Sequence, residues 1–197
     1  TTYTDANYQG DGTSGIYVAM AQLEQNSYAT SYIKTVGTTQ TRVADTASGS
    51  GNSTVINSTE GVLYAEIKGF ENDLSNKYIS LSDGSSSNSI RIFYYNDGST
   101  VFFRKAANSV NVITSSTSTI NQSSLTKIAV RYDSTSFDIF SNGVKILTNS
   151  NSDAFTSPLN DISFNSSGSS TFYGKTKDLR VYTTVLSDAE LAILTTI

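Results

Sequence analysis

A chain of 197 residues with no cysteine, no histidine, no tryptophan, one methionine and one proline has a narrow chemical repertoire. Imidazole general bases, thiolate nucleophiles, disulfides, and zinc or haem sites of the usual nitrogen and sulfur type are excluded. Charged residues make up 15% of the chain, against roughly 25% in an ordinary soluble domain. Polarity comes instead from 33 Ser, 26 Thr and 16 Asn, and the net charge is -4.

Lys and Arg are scattered, which opposes nucleic-acid binding. No apolar run reaches the roughly 18 residues of a membrane helix, so no membrane insertion is expected. The opening TTYTDANYQG has no basic-then-apolar pattern, so no secretion signal is expected. A hydrophobic fraction of 37% and an aromatic fraction of 11% are enough for a packed core and speak against disorder.

In the first forty-odd residues, Ile16, Val18 and Met20 of GIYVAMAQLE alternate as in a strand. A polar stretch follows, and Gly, Ser and Thr dominate residues 46–54, the composition of a linker or long loop. A boundary is therefore placed near residue 45. Residues 1–45 are expected to form a separate segment, and 46–197 the main domain.

Within that domain TEGVLYAEIKG alternates with period two, putting Leu63, Ala65 and Ile67 on one face and Val62, Tyr64 and Glu66 on the other. YISL at 78–81 is a second strand, closed by Ser82-Asp83-Gly84. SIRIFYYNDGSTVFFRK reads as a hairpin with Asp97-Gly98 at its turn, both at positive φ. That register sets Tyr94 opposite Val101 and Ile92 opposite Phe103. The low-complexity SSTSTINQSS at 115–124 reads as a solvated or contact loop. LTKIAVRY and FDIFSNGVKIL follow, with Ile128, Val130 and Tyr132 on one face. A turn at Asn142-Gly143 pairs Ile139 with Ile146. A strand over Asp178–Tyr182 precedes the capping box Ser187-Asp188-Ala189-Glu190, after which Leu186, Leu191 and Leu194 mark a short helix. The expected fold is all-β, an antiparallel sandwich or barrel with one short C-terminal helix.

Two sets of segments carry a resemblance. GIYVAMAQLEQNSYATSYIKTVGTTQTRVADTA is similar to the junction between β modules in bacteriophage tail proteins. STEGVLYAEI, FDIFSNGVKIL and GKTKDLRVYTTVLSDAELAIL resemble the opening strand, a hairpin and the closing strand plus helix of laminin-G-like, concanavalin A-like jelly rolls. The resemblance implies a jelly-roll sandwich of two antiparallel sheets over 46–197, preceded in 1–45 by the end of another β module plus linker. The whole would be a virion tail-fibre or tail structural protein, extracellular and homotrimeric, partnered by other tail proteins. The resemblance also implies adhesion to host surface polysaccharide. Calcium is possible by the same resemblance, since laminin-G-like domains often hold it.

Catalysis must draw on 17 carboxylates and 12 tyrosines. Glycosidase carboxyl pairs sit about 5–5.5 Å or about 6.5–9.5 Å apart, whereas Glu60 and Glu66 on one strand are separated by ~20 Å. Glu71 and Asp73 bracket Asn72 closely, in what reads as a solvated turn. The E-x-D-x-E strand of laminarinase-type jelly rolls is absent, and alginate-lyase jelly rolls need a His this chain lacks. No catalytic residue is assigned. Asp11, Asp83 and Asp97 are the carboxylates that calcium would draw on, but each sits in an Asp-Gly turn dipeptide.

The other face of the first hairpin is more informative. With Ile92, Tyr94, Val101 and Phe103 in the core, Arg91, Phe93, Tyr95, Phe102 and Arg104 point away from it. Aromatic faces stack on sugar rings and guanidinium forks bind oxygen ligands, so these five are the candidate glycan-binding residues, with an acidic polysaccharide as one candidate ligand. The competing reading buries them under a loop or a neighbouring protomer. Arg91 opposite Arg104 is unfavourable for like charges, so either something anionic lies between them or the register is shifted by one. Tyr3, Tyr8, Tyr17, Tyr28 and Tyr32 cluster in the N-terminal segment and read as contacts to another module or protomer. The function expected is non-enzymatic adhesion of a tail fibre to host polysaccharide. The alternatives are a carbohydrate-binding module of a secreted bacterial protein and, last, a polysaccharide-degrading tail enzyme.

Overall fold

The computed structural model describes residues 10–23, 31–41, 50–69, 75–98, 100–107, 110–117 (backbone only), 120–150 and 153–197. The chain divides into two units, Thr1–Asp45 and Thr46–Ile197.

In the first unit Gln22 is the main organiser among the described residues. Its side-chain Oε1 accepts from the Ile33 backbone N–H at 2.7 Å, and its Nε2 donates to the Ser31 carbonyl. The strand expected through Ile16, Val18 and Met20 is not formed: residues 10–23 carry no strand, and Met20 turns to φ 59°. Alternation alone is insufficient, because a strand needs a neighbour for its backbone groups, and none is paired with it among the described residues. Ile16, Tyr17, Val18, Met20 and Leu23 are all exposed. Tyr3, Tyr8 and Tyr28 lie outside the described residues.

Period-two alternation builds the second unit. Its strands in chain order are β1 (Gly61–Gly69), β2 (Lys77–Ser82), β3 (Ser89–Tyr94), β4 (Val101–Ala107), β5 (Val110–Thr117), β6 (Thr126–Tyr132), β7 (Ser136–Ser141), β8 (Val144–Ser150), β9 (Asp161–Ser163) and β10 (Gly174–Tyr182). Helix α1 spans Asp188–Thr195. Two five-stranded antiparallel sheets result, with orders β10-β1-β6-β7-β8 and β5-β4-β3-β2-β9. Alternate residues of both sheets meet in one core. Leu63, Ala65, Ile67, Ile128, Val130, Phe137 and Ile139 come from the first sheet, and Ile79, Leu81, Ile90, Ile92, Tyr94, Val101 and Phe103 from the second. The expected all-β sandwich with one helix is the fold.

Helix α1 covers the far side of the first sheet. Leu191 packs with Val62, Tyr64, Ala129 and Phe140, flanked by Leu186 and Leu194. The capping box is complete, with Ser187 and Glu190 bonding each other's backbone N–H groups. An ionic clasp adds to it: Arg131 binds buried Asp138 and reaches Asp188 on the helix at 2.7 Å, while Lys145 binds Asp188 at 2.8 Å. No helix among the described residues is long and apolar enough to cross a membrane.

Several local details differ from expectation. Asn142 and Gly143 do both take positive φ, but a bulge after Ile139 pairs it with Leu147 instead of Ile146. At the first hairpin Gly98 has positive φ and Asp97 does not. Asp97 instead accepts from the Thr100 backbone N–H at 2.8 Å and from its hydroxyl, which stabilises a longer loop around the same register. The stretch 115–124 is not simply a loop: residues up to Thr117 complete β5, and Ile120 enters the core. Gln122 is buried and donates to the Thr100 carbonyl.

Candidate functional site

Among the described residues no helix covers the outer side of the second sheet, and the side chains there follow from strand parity. β3 and β4 pair Arg91 with Arg104 and Phe93 with Phe102, while β2 adds Ser80 beside Arg91 and Tyr78 beside Phe93. Two rows therefore cross the sheet. The first is an aromatic ladder: the Phe93 ring lies between Tyr78 at 4.7 Å and Phe102 at 4.9 Å, nearly parallel to both. Tyr95 meets the Phe102 edge at 5.2 Å. Phe93, the middle ring, is only 4% exposed, whereas Tyr78 and Phe102 are half-buried and Tyr95 is exposed.

The second row is basic. Arg104 lies over the Phe93 ring at 5.6 Å, a cation–π contact that holds its plane against the ladder. Arg91 is only 4% exposed, and among the described residues neither arginine has an ion pair. Nε and Nη2 of Arg91 and Nε of Arg104 are buried without a hydrogen-bond partner. Burial, and next the charge of Arg104, push the Arg91 guanidinium below its ordinary value. The chain 165–171 runs along the β2 margin: the Ser80 hydroxyl donates to the Asn165 carbonyl at 2.7 Å, and Thr171 bridges Tyr78.

All five candidate residues thus fall on one surface, in the register read from the sequence. Tyr78 was missed, although YISL was placed as a strand, because nothing local says that it pairs with β3.

The other candidates disperse. Glu66 is buried and accepts from Lys177 Nζ at 2.8 Å, while Glu71 and Asp73 lie outside the described residues. Asp11 accepts from Thr13 and Ser14. Asp83 accepts from Ser85 and Asn88; burial opposes its charge, but these bonds outweigh it and hold the carboxyl below its usual range. No group of three or more acidic residues placed to hold a metal occurs among the described residues. Burial pushes the phenols of Tyr94 and Tyr132 upward, so both stay protonated. A separate recess at one end of the sandwich is lined by Lys105, Tyr132, Asp133, Asp153 and Phe155. Lys105 lies over the Phe155 ring there.

An antiparallel sandwich with a helix on one sheet and an aromatic and basic face on the other has the build of lectin-like domains. The chain belongs to the concanavalin A-like lectin/glucanases superfamily, whose laminin-G-type family model matches residues 52–192. Among solved structures it is similar to the Ruminococcus gnavus intramolecular trans-sialidase carbohydrate-binding module CBM40 bound to α2,3 sialyllactose, at 19% identity and a TM-score of 0.62, covering 77% of this chain and 94% of that one. The leech intramolecular trans-sialidase matches at 19% identity and a TM-score of 0.59, over 78% of this chain and 27% of that one. The binding domain of botulinum neurotoxin serotype D follows at 10% identity and 0.53, over 69% and 36%. At these identities the likeness is one of fold. No curated protein matches the chain.

Proposed function

We propose that residues 46–197 form a non-catalytic carbohydrate-binding domain that takes a glycan on the outer side of the β5-β4-β3-β2-β9 sheet. The observation that carries this reading is the aromatic ladder: its outer rings are partly exposed and Tyr95 is exposed beside a basic row, an arrangement suited to stacking on sugar faces. The fold likeness to a carbohydrate-binding module supports it. Shallow contacts of this kind gain strength when several copies bind together. A glycan array on the purified chain, with and without a chelator, tests the reading; signal on no glycan would refute it. Release of new reducing ends from any polysaccharide would instead make the domain an enzyme.

The setting we infer is adhesive, either as a secreted bacterial module or as part of a virion tail fibre. Support for the fibre reading comes from the resemblance of residues 15–47 to tail-protein junctions and from the exposed apolar residues Ile16, Tyr17, Val18 and Leu23 in the first unit, which suit contact with further copies. Light scattering separates the two: trimers support the fibre, and a strict monomer supports the detachable module.

A further inference from the structure

The arginine row is not explained by the fold. Two guanidinium groups directly opposite each other on adjacent strands repel, and a buried charged donor without a partner is destabilising. The same sheet holds Ser80, Ser82 and Ser163 nearby, so small neutral side chains are tolerated in these rows. The aromatic ladder needs only one cation over Phe93, and Arg104 already supplies it. Arg91 adds a second charge, deeper than the first, with two buried nitrogens that no group among the described residues satisfies.

We propose that Arg91 and Arg104 together form a carboxylate subsite, so that the glycan taken by this face carries an acidic sugar of the uronic or sialic type. The proposal rests on the glycan-face reading and narrows it. A carboxylate accepts from several N–H groups at once and matches the planar fork of arginine. Its charge would also remove the repulsion between the two arginines. The basic row lies two residues along the strand from the ladder, about 6.6 Å by strand rise. That distance is comparable to one sugar unit, so the acid and the stacked ring belong to neighbouring positions of the glycan.

The test is calorimetric titration of the full chain with trigalacturonic acid and with 3′-sialyllactose, each beside its carboxyl methyl ester. The acid form that fits is expected to bind at least ~10-fold tighter than its ester, since charge-assisted hydrogen bonds are lost on esterification. The two acids distinguish the uronic from the sialic source. Arg104→Gln should remove that preference, bringing acid and ester affinities to within about twofold of each other, and Arg104→Lys should restore only part of it because the fork is gone. Arg91→Met should abolish the preference and also raise the melting temperature, which a purely structural arginine would not do. Should Arg91→Met not fold, the Arg104 pair of variants carries the test. Equal affinity for acid and ester overturns the carboxylate subsite but leaves the glycan-face reading standing. Absence of binding to any acidic or neutral sugar overturns both.

Discussion

The clasp between α1 and the first sheet offers a sharp test of the packing. Asp138 is 2% exposed and takes both Nε and Nη2 of Arg131, while its Oδ1 is buried without a partner. Asp138→Asn keeps the shape and removes the charge. Removing one member of a buried pair costs about 3–5 kcal/mol. Two features reduce that figure here. Arg131 keeps Asp188 at 2.7 Å, and the substitution ends the burial of a carboxylate oxygen with no donor. A net loss of about 1–3 kcal/mol is expected. With a urea dependence of about 2 kcal/mol/M for a domain of this size, the midpoint should fall by about 0.5–1.5 M. Lys145→Met should cost under about 1 kcal/mol, since its Nζ is 3.9 Å from Asp138 and its main partner, Asp188, is largely exposed. Glycan affinity should stay constant in both variants, because the clasp and the candidate face lie on different sheets. An unchanged midpoint for Asp138→Asn would refute the reasoning.

The double substitution Tyr95→Ala with Phe102→Ala should weaken glycan or host-cell binding about tenfold, taking about 50 Å² of lost apolar contact at 25 cal/mol/Å²; circular dichroism should show the fold retained, and unchanged binding would make the face structural only. Ser187→Ala removes one side of the capping box and should cost about 1 kcal/mol, read as a lower thermal midpoint. Gly174→Ala would drive a methyl group into the Lys68 carbonyl and the Phe172 ring, so β10 should fray from β1, seen as faster amide exchange over 174–178. Acid should destabilise the domain through Asp83 and Asp133: hydrogen bonds outweigh burial and hold both carboxyls below their usual value. Their contribution is present above pH 3.8 and is lost as pH falls further, so Asp133→Asn should flatten the low-pH limb of a stability profile.

Period-two alternation and turn chemistry made most of the sandwich legible. β1 declared both its faces, and the two hairpin dipeptides located their turns within a residue. The capping box announced α1. Strand β5 was harder, because VNVITSST grades into a Ser/Thr-rich run with no change of period at its end. The bulge after Ile139 was invisible for a different reason: it depends on how β7 meets β8, and neither strand alone encodes it. The same limit applied to the candidate face. Arg91, Phe93, Phe102 and Arg104 could be assigned from one hairpin because parity fixes which side they occupy. Tyr78 and the Asn165 carbonyl reach that side through pairings between segments far apart in the chain.

The helix packed over the first sheet makes the domain one-sided, like a glazed tile with a backing. Wherever several copies share a tether, each presents this same face, and their combined reach depends on the tether and the spacing of the targets. Lengthening or stiffening that tether would change how firmly a cluster of copies holds on without altering a single residue of the surface itself.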